Sequence, residues 1–234
     1  MHSNRGGWGW ALAAPVVAVL VAAVVLVGPG LFTTSSPAPG SPTRAQLERL
    51  LAVVRVLPQR PHPGGYERGC AAGQGCVFGT AWADGSGGCD SRNAVLGKQL
   101  SAVRFRTSTE KCVVSAGTLH DPYTGRDIAF DRSHARTVQI DHIYPLAAAW
   151  DMGASDWPLP QRIRFANDIQ FNLLAVDGRT NQDKGDRTPA DWLPPALAYR
   201  CYYAGRYLTT AVRYTLPITA QDRDALSRLA EGCP

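Results

Sequence analysis

Asp141 and His142 stand side by side in Ile140-Asp141-His142-Ile143-Tyr144-Pro145. Downstream follow Asn172-Leu173-Leu174 and Asn181-Gln182-Asp183-Lys184-Gly185-Asp186. A carboxylate is a hard oxygen ligand suited to Mg²⁺ or Mn²⁺. A neutral imidazole, titrating near pH 6.5, can take a proton from water. A ligand beside a base is what metal-assisted hydrolysis needs, since the metal offsets developing charge while the base makes the nucleophile. On a regular strand, neighbouring side chains face opposite ways. A bend at the turn marked by Pro145 would let Asp141 and His142 converge. The dipeptide alone describes equally well a surface Asp beside a hydrogen-bonded His.

The flanking sequence predicts the frame for these residues. A strand over 137–140 leads into Asp141-His142, with short helices over 145–151 and 161–167. A second strand covers 172–176, Asp177-Gly178 turns the chain, and Asn181 opens a helix punctuated by Gly185 and Pro189. The order is strand, long excursion, strand, helix. Upstream, Thr43 reads as an N-cap with Gln46 three residues on. Leu47, Leu50, Leu51 and Val54 then recur at helical spacing, so 44–57 reads as an amphipathic helix ended by Pro58. Residues 64–93 are rich in Gly and Cys and read as irregular, and 94–103 as a short helix. Strand candidates at 113–116 and 128–130 flank the turn Asp121-Pro122-Tyr123-Thr124-Gly125. A longer helix over 196–214 carries several tyrosines, and Thr219 with Asp222 caps a last helix.

The chain has 234 residues and a net charge of +5. Its globular composition excludes a disordered chain, and the mild basicity suits a polyanionic partner. Only Lys98, Lys111 and Lys184 are lysines, against 21 arginines, which reads as a base-composition bias. Residues 1–30 read as a signal peptide or membrane anchor, with Arg5 before an apolar run. Either form puts the remainder outside the cytoplasm, secreted or on the outer face of the membrane. Contact with a membrane is expected only through that segment. Residues 31–42 read as a flexible Ser/Pro/Gly linker, 43–65 as the amphipathic helix with a Pro-rich connection, and 66–234 as the functional domain. Cys70, Cys76, Cys89, Cys112, Cys201 and Cys233 form an even set that predicts three disulfides in an oxidising setting. Six cysteines allow 15 pairings. Proximity along the chain suggests Cys70–Cys76, Cys89–Cys112 and Cys201–Cys233. No C-x2-C pair supports a zinc site instead.

The stretches VQIDHIYPLAAAW, FANDIQFNLLAVDG and NQDKGD resemble the HNH (ββα-metal) nucleases, in particular secreted bacterial members related to the GmrSD restriction endonuclease C-terminal domain. The likeness runs from about Tyr66 to Pro234 and takes in Gly88-Cys89-Asp90-Ser91-Arg92-Asn93 and Trp192-Leu193-Pro194-Pro195. It implies an α+β fold: a small ββα-metal core embedded in helices and stabilised by disulfides. His142 would be the general base, Asp141 and Asn181 the ligands of one divalent metal, Mg²⁺ or else Mn²⁺. Asn172 would hold the loop that bears the base, and Lys184 would reach the scissile phosphate. Arg92 is a further phosphate-binding candidate.

The implied reaction is hydrolysis of DNA phosphodiester bonds, with RNA as an alternative substrate, leaving a 5′-phosphate and a 3′-hydroxyl. No DNA-reading module is recognisable, so little sequence specificity is expected, and no obligate protein partner is implied. The rival expectation is a disulfide-stabilised cell-envelope domain that binds a partner without catalysis.

Overall fold

The computed structural model describes residues 36–83, 88–107, 109 and 111–234. The segment read as a signal or anchor lies outside the described residues. Among them, no helix is long and apolar enough to cross a membrane.

Helix α1 (Arg44–Val53) starts with the expected capping box, Thr43 with Gln46, which is worth about 1 kcal/mol. It stops at Val53, short of the expected 57, because Val56–Leu57 (β1) pairs in parallel with a distant segment, Ile218–Thr219. Helix α2 (Ser91–Gln99) begins earlier than expected, since the Asp90 carboxylate accepts from Asn93 N. The chain then turns into strand β2 (Ser101–Phe105), where a continuing helix was predicted. β2 joins β3 (Val114–His120) and β4 (Asp127–Asp131) in an antiparallel three-stranded sheet ordered β2-β3-β4.

The centre of the molecule is a second antiparallel pair. β5 (Val138–His142) is followed by the excursion helices α3 (Leu146–Asp151) and α4 (Leu159–Ala166), and then by β6 (Leu173–Asp177). Helix α5 (Gly178–Lys184) packs back on both strands, completing a ββα unit. Helix α6 (Arg200–Arg213), strand β7 (Ile218–Thr219) and helix α7 (Ala220–Ala230) close the chain. Thr219 and Asp222 form the expected capping box of α7. The fold is α+β.

Side-chain alternation divides the core between the two faces of the central pair. Val138, Ile140, Leu173 and Ala175 join a cluster with α2 and the three-stranded sheet. Leu174 and Val176 join a larger cluster with the helices, including Leu47 of α1 and Tyr207 of α6. That larger cluster anchors the chain just after the site. Tyr144 stacks on Tyr207 at 4.8 Å between ring centroids, and its hydroxyl donates to Pro217 O at 2.6 Å.

The disulfides are Cys70–Cys76, Cys89–Cys112 and Cys201–Cys233, the pairing that proximity suggested. The reading of 31–42 as a flexible linker needs correction from Ala38 onward. Ala38 N donates to Ala198 O at 2.8 Å, and Pro42 lies so close to Gly205 of α6 that a Cβ there would meet it at 2.7 Å.

Candidate functional site

β5 keeps its register through His142, which pairs with Leu173 while Asp141 pairs with Leu174. The strand is thus regular through both residues, and the chain leaves the sheet only after His142, ahead of the Pro145 turn. The two side chains take opposite faces of the strand end, and each finds its own supports. Both, together with Asn181, nevertheless line one open cavity of about 640 Å³, shared with Tyr66 and Arg68.

The His142 Nε2 atom lies 2.8 Å from the carbonyl oxygen of Ala166, at the end of α4. A carbonyl can only accept, so Nε2 carries the proton and Nδ1 keeps the free lone pair. The indole of Trp82 lies almost parallel to the imidazole, with planes 12° apart and centroids 6.3 Å apart. Burial, then the Arg68 guanidinium, push the His142 pKa from 6.5 down to about 3, so the ring is neutral at ordinary pH.

Asn172 is wholly buried. Its Oδ1 accepts from Tyr144 N at 2.9 Å, and its backbone carbonyl accepts from Ile143 N at 2.9 Å. The two residues after His142 are thus clamped to the start of β6.

Asp141 faces the helical side. Lys184 Nζ donates to its Oδ1 at 3.0 Å and to the backbone carbonyl of His142 at 3.0 Å. The Tyr123 hydroxyl donates to Oδ2 at 2.5 Å. Burial raises the Asp141 pKa, and the Lys184 ammonium and the Tyr123 hydroxyl oppose that rise. Burial and the facing carboxylate hold the Tyr123 phenol well above its usual value, so it stays a donor.

The turn Asp121–Gly125 delivers Tyr123 because the Asp121 carboxylate is a bracket. One of its oxygens accepts from Thr124 N at 2.8 Å; the other accepts from Asp177 N, at the end of β6, at 2.9 Å. The turn signature was legible in the sequence, but nothing in it pointed Tyr123 at Asp141.

Asn181 sits one turn into α5, whose cap is the Asp177 carboxylate accepting from Thr180 N. Gly178 lets the helix approach, since a Cβ there would stand 2.0 Å from Arg136 O. Asn181 Nδ2 donates to Gln139 Oε1 at 2.9 Å, leaving Oδ1 as its remaining acceptor.

Two expectations need correction. Lys184 is 0% exposed, with its ammonium directed inward at Asp141 and held against Trp192, so it cannot reach a phosphate in the cavity. Arg92 is away from the cavity; its guanidinium donates to Ala135 O and Val138 O and braces the start of β5. The basic side chain that does line the cavity is Arg68. It lies in the Gly/Cys-rich stretch, where no periodicity or motif singles it out.

Among the described residues, no group of three or more His, Cys, Asp and Glu could hold a metal ion. For an ion beside His142 the cavity offers the Asp141 carboxylate, with one lone pair on each oxygen still unused, and the Asn181 amide oxygen; its other carboxylate, Asp186, is paired with Arg60. That hard, sparse oxygen set fits an ion that keeps most of its water and takes further ligands from a phosphate, as Mg²⁺ commonly does.

Residues 90–229 match the family described as GmrSD restriction endonucleases, C-terminal domain. An uncharacterized secreted protein of Arthroderma benhamiae is 33% identical over 218 residues, which is 93% of this chain and 98% of that protein. No solved structure matches.

Proposed function

The chain belongs to the family of GmrSD restriction endonuclease C-terminal domains, and from that membership we propose a metal-dependent endonuclease of the HNH type that hydrolyses DNA phosphodiester bonds outside the cytoplasm. The observation that carries this reading is the state of His142. Its Nε2–H is committed to Ala166 O, so a neutral imidazole with a bare Nδ1 stands in a cavity shared with Asp141 and Asn181.

In this reading Nδ1 of His142 takes a proton from the attacking water. The Ala166 carbonyl and the Trp82 indole hold the ring plane, and Asn172 holds the following backbone, so the lone pair keeps its direction during transfer. Asp141 and Asn181 are the residues that would hold Mg²⁺ or Mn²⁺, which when bound offsets charge on the phosphate. Lys184 and Tyr123 fix the Asp141 carboxylate from below. Arg68 faces the cavity as a phosphate contact. A positioned base of this kind contributes roughly 10²–10⁴ in rate.

The proposed location draws on the description of the Arthroderma benhamiae relative as secreted and on the three disulfides. A second reading, a non-catalytic binding domain of the cell envelope, draws on the two donors that already occupy Asp141. Plasmid nicking by the oxidised protein separates the two. Conversion of supercoiled DNA with Mg²⁺ or Mn²⁺, abolished by EDTA, supports the endonuclease. No conversion with either metal supports the binding domain.

A further inference from the structure

The site cavity does not end at His142. It shares Arg68 and Leu146 with a small neighbouring concavity whose wall includes Trp82. That concavity shares Asn167 with a third, of about 650 Å³, lined by Lys98, Lys111, Arg164 and Phe105. Asn167 is a fixed ridge between them: its Oδ1 accepts from Ala83 N at 3.0 Å and from Ser91 Oγ at 2.6 Å, and its Nδ2 donates to Ile163 O. The three depressions are neighbours in series, each sharing wall residues with the next, from Asp141 and His142 outward.

Among the described residues, the charge along these depressions is one-sided. Beyond the site cavity their described lining carries Arg68, Lys98, Lys111 and Arg164 and no Asp or Glu. Lys98, Lys111 and Arg164 are exposed and are absent from the ion pairs among the described residues. Two of the chain's three lysines therefore fall in one depression. Half-buried aromatic rings, Trp82 and Phe105, sit along the same path. Cations spaced along a groove with aromatic faces between them bind a polyanion whose repeating units carry flat rings.

We propose that these depressions together form one groove, the substrate track: an unpaired nucleic-acid strand leaves the cleavage site past Arg68, lays a base against Trp82, and runs its phosphates over Arg164, Lys98 and Lys111. The proposal rests on the nuclease reading. Unpaired bases are specified because stacking on an indole requires a free base face, which a paired and stacked duplex does not present.

The test measures binding in EDTA, apart from cleavage, by fluorescence anisotropy of a labelled 12-nucleotide single strand across a salt series. Each phosphate contact to a single strand contributes about −0.7 to the slope of log affinity against log salt. The combined variant Lys98→Ala, Lys111→Ala, Arg164→Ala should flatten the slope by about 2. A control that removes equal charge outside the groove, Arg49→Ala, Arg223→Ala, Arg228→Ala, should leave it nearly unchanged. Trp82→Ala should weaken single-strand binding about tenfold with an unchanged slope, and weaken binding of a 12-base-pair duplex less. A groove variant with the native slope, a control that flattens it equally, or equal losses on single strand and duplex would each overturn the track. The plasmid assay reads the nuclease itself, so a native chain that nicks DNA while the groove variant binds normally refutes the track alone.

Discussion

Lys184 Nζ lies 3.0 Å from Asp141 Oδ1, with Lys184 enclosed beneath the site and Asp141 buried at the cavity wall. A buried pair is worth little relative to an apolar replacement of both partners, but removing one partner strands the other charge at about 3–5 kcal/mol. Lys184→Met should therefore destabilise the oxidised protein by about 3 kcal/mol in urea unfolding. The double variant Lys184→Met, Asp141→Asn should recover part of that loss. A single variant within about 0.5 kcal/mol of native would contradict the pairing.

Tyr123 touches Asp141 from the other side. Tyr123→Phe keeps the ring that packs on Trp192 at 4.8 Å and removes only the hydroxyl. The expected result is about a tenfold rise in the Mg²⁺ concentration that half-saturates cleavage, with the fold retained. An unchanged metal titration would leave the hydroxyl without a part in positioning Asp141.

The residues at the open end of the ββα unit were legible because each is local. Asp141 and His142 end a strand, Asn172 opens the next, and Asn181 follows the Asp177-Gly178 turn. Their supports were not legible, because tertiary closure makes them. Lys184 reads as a phosphate contact until Asp141 and the Trp192 ring hold its ammonium inside. Arg92 reads as a phosphate ligand until Ala135 and Val138 present their carbonyls. β2 was hidden because 101–105 continues a helical-looking run, and only pairing with β3 makes it a strand. Arg68 and Trp82 come from a stretch whose path is set by the Cys70–Cys76 disulfide and loop contacts, which carry no periodicity.

Acid should loosen the fold through His142. The unfolded chain takes up this proton near pH 6.5, and the folded chain only near 3. Between those values the unfolded state binds more protons, so stability falls as pH falls. For this group the slope approaches about 1.4 kcal/mol per pH unit below 6.5. Urea midpoints in EDTA at pH 7, 6 and 5 should drop more steeply for the native chain than for His142→Gln. Parallel curves would mean that the imidazole titrates freely when folded.

The Cys201–Cys233 bridge ties the start of α6 to the chain end after α7 across 32 residues. Closing a loop of that length contributes about 3–4 kcal/mol by restricting the unfolded chain. Cys201→Ser with Cys233→Ser should lower stability by about that amount. α7 carries Asp222, whose carboxylate accepts from Ala190 N, so native-state hydrogen exchange should rise at 188–192 as well as in α7. Unchanged exchange at 188–192 would uncouple that loop from the bridge.

The most direct measurement compares metal-dependent cleavage by the native chain and by His142→Ala, both oxidised, on the same DNA, with DNA binding measured in parallel. A base that takes the proton from water predicts at least about a 100-fold loss of turnover with binding retained. Turnover by His142→Ala close to that of the native chain would contradict the account.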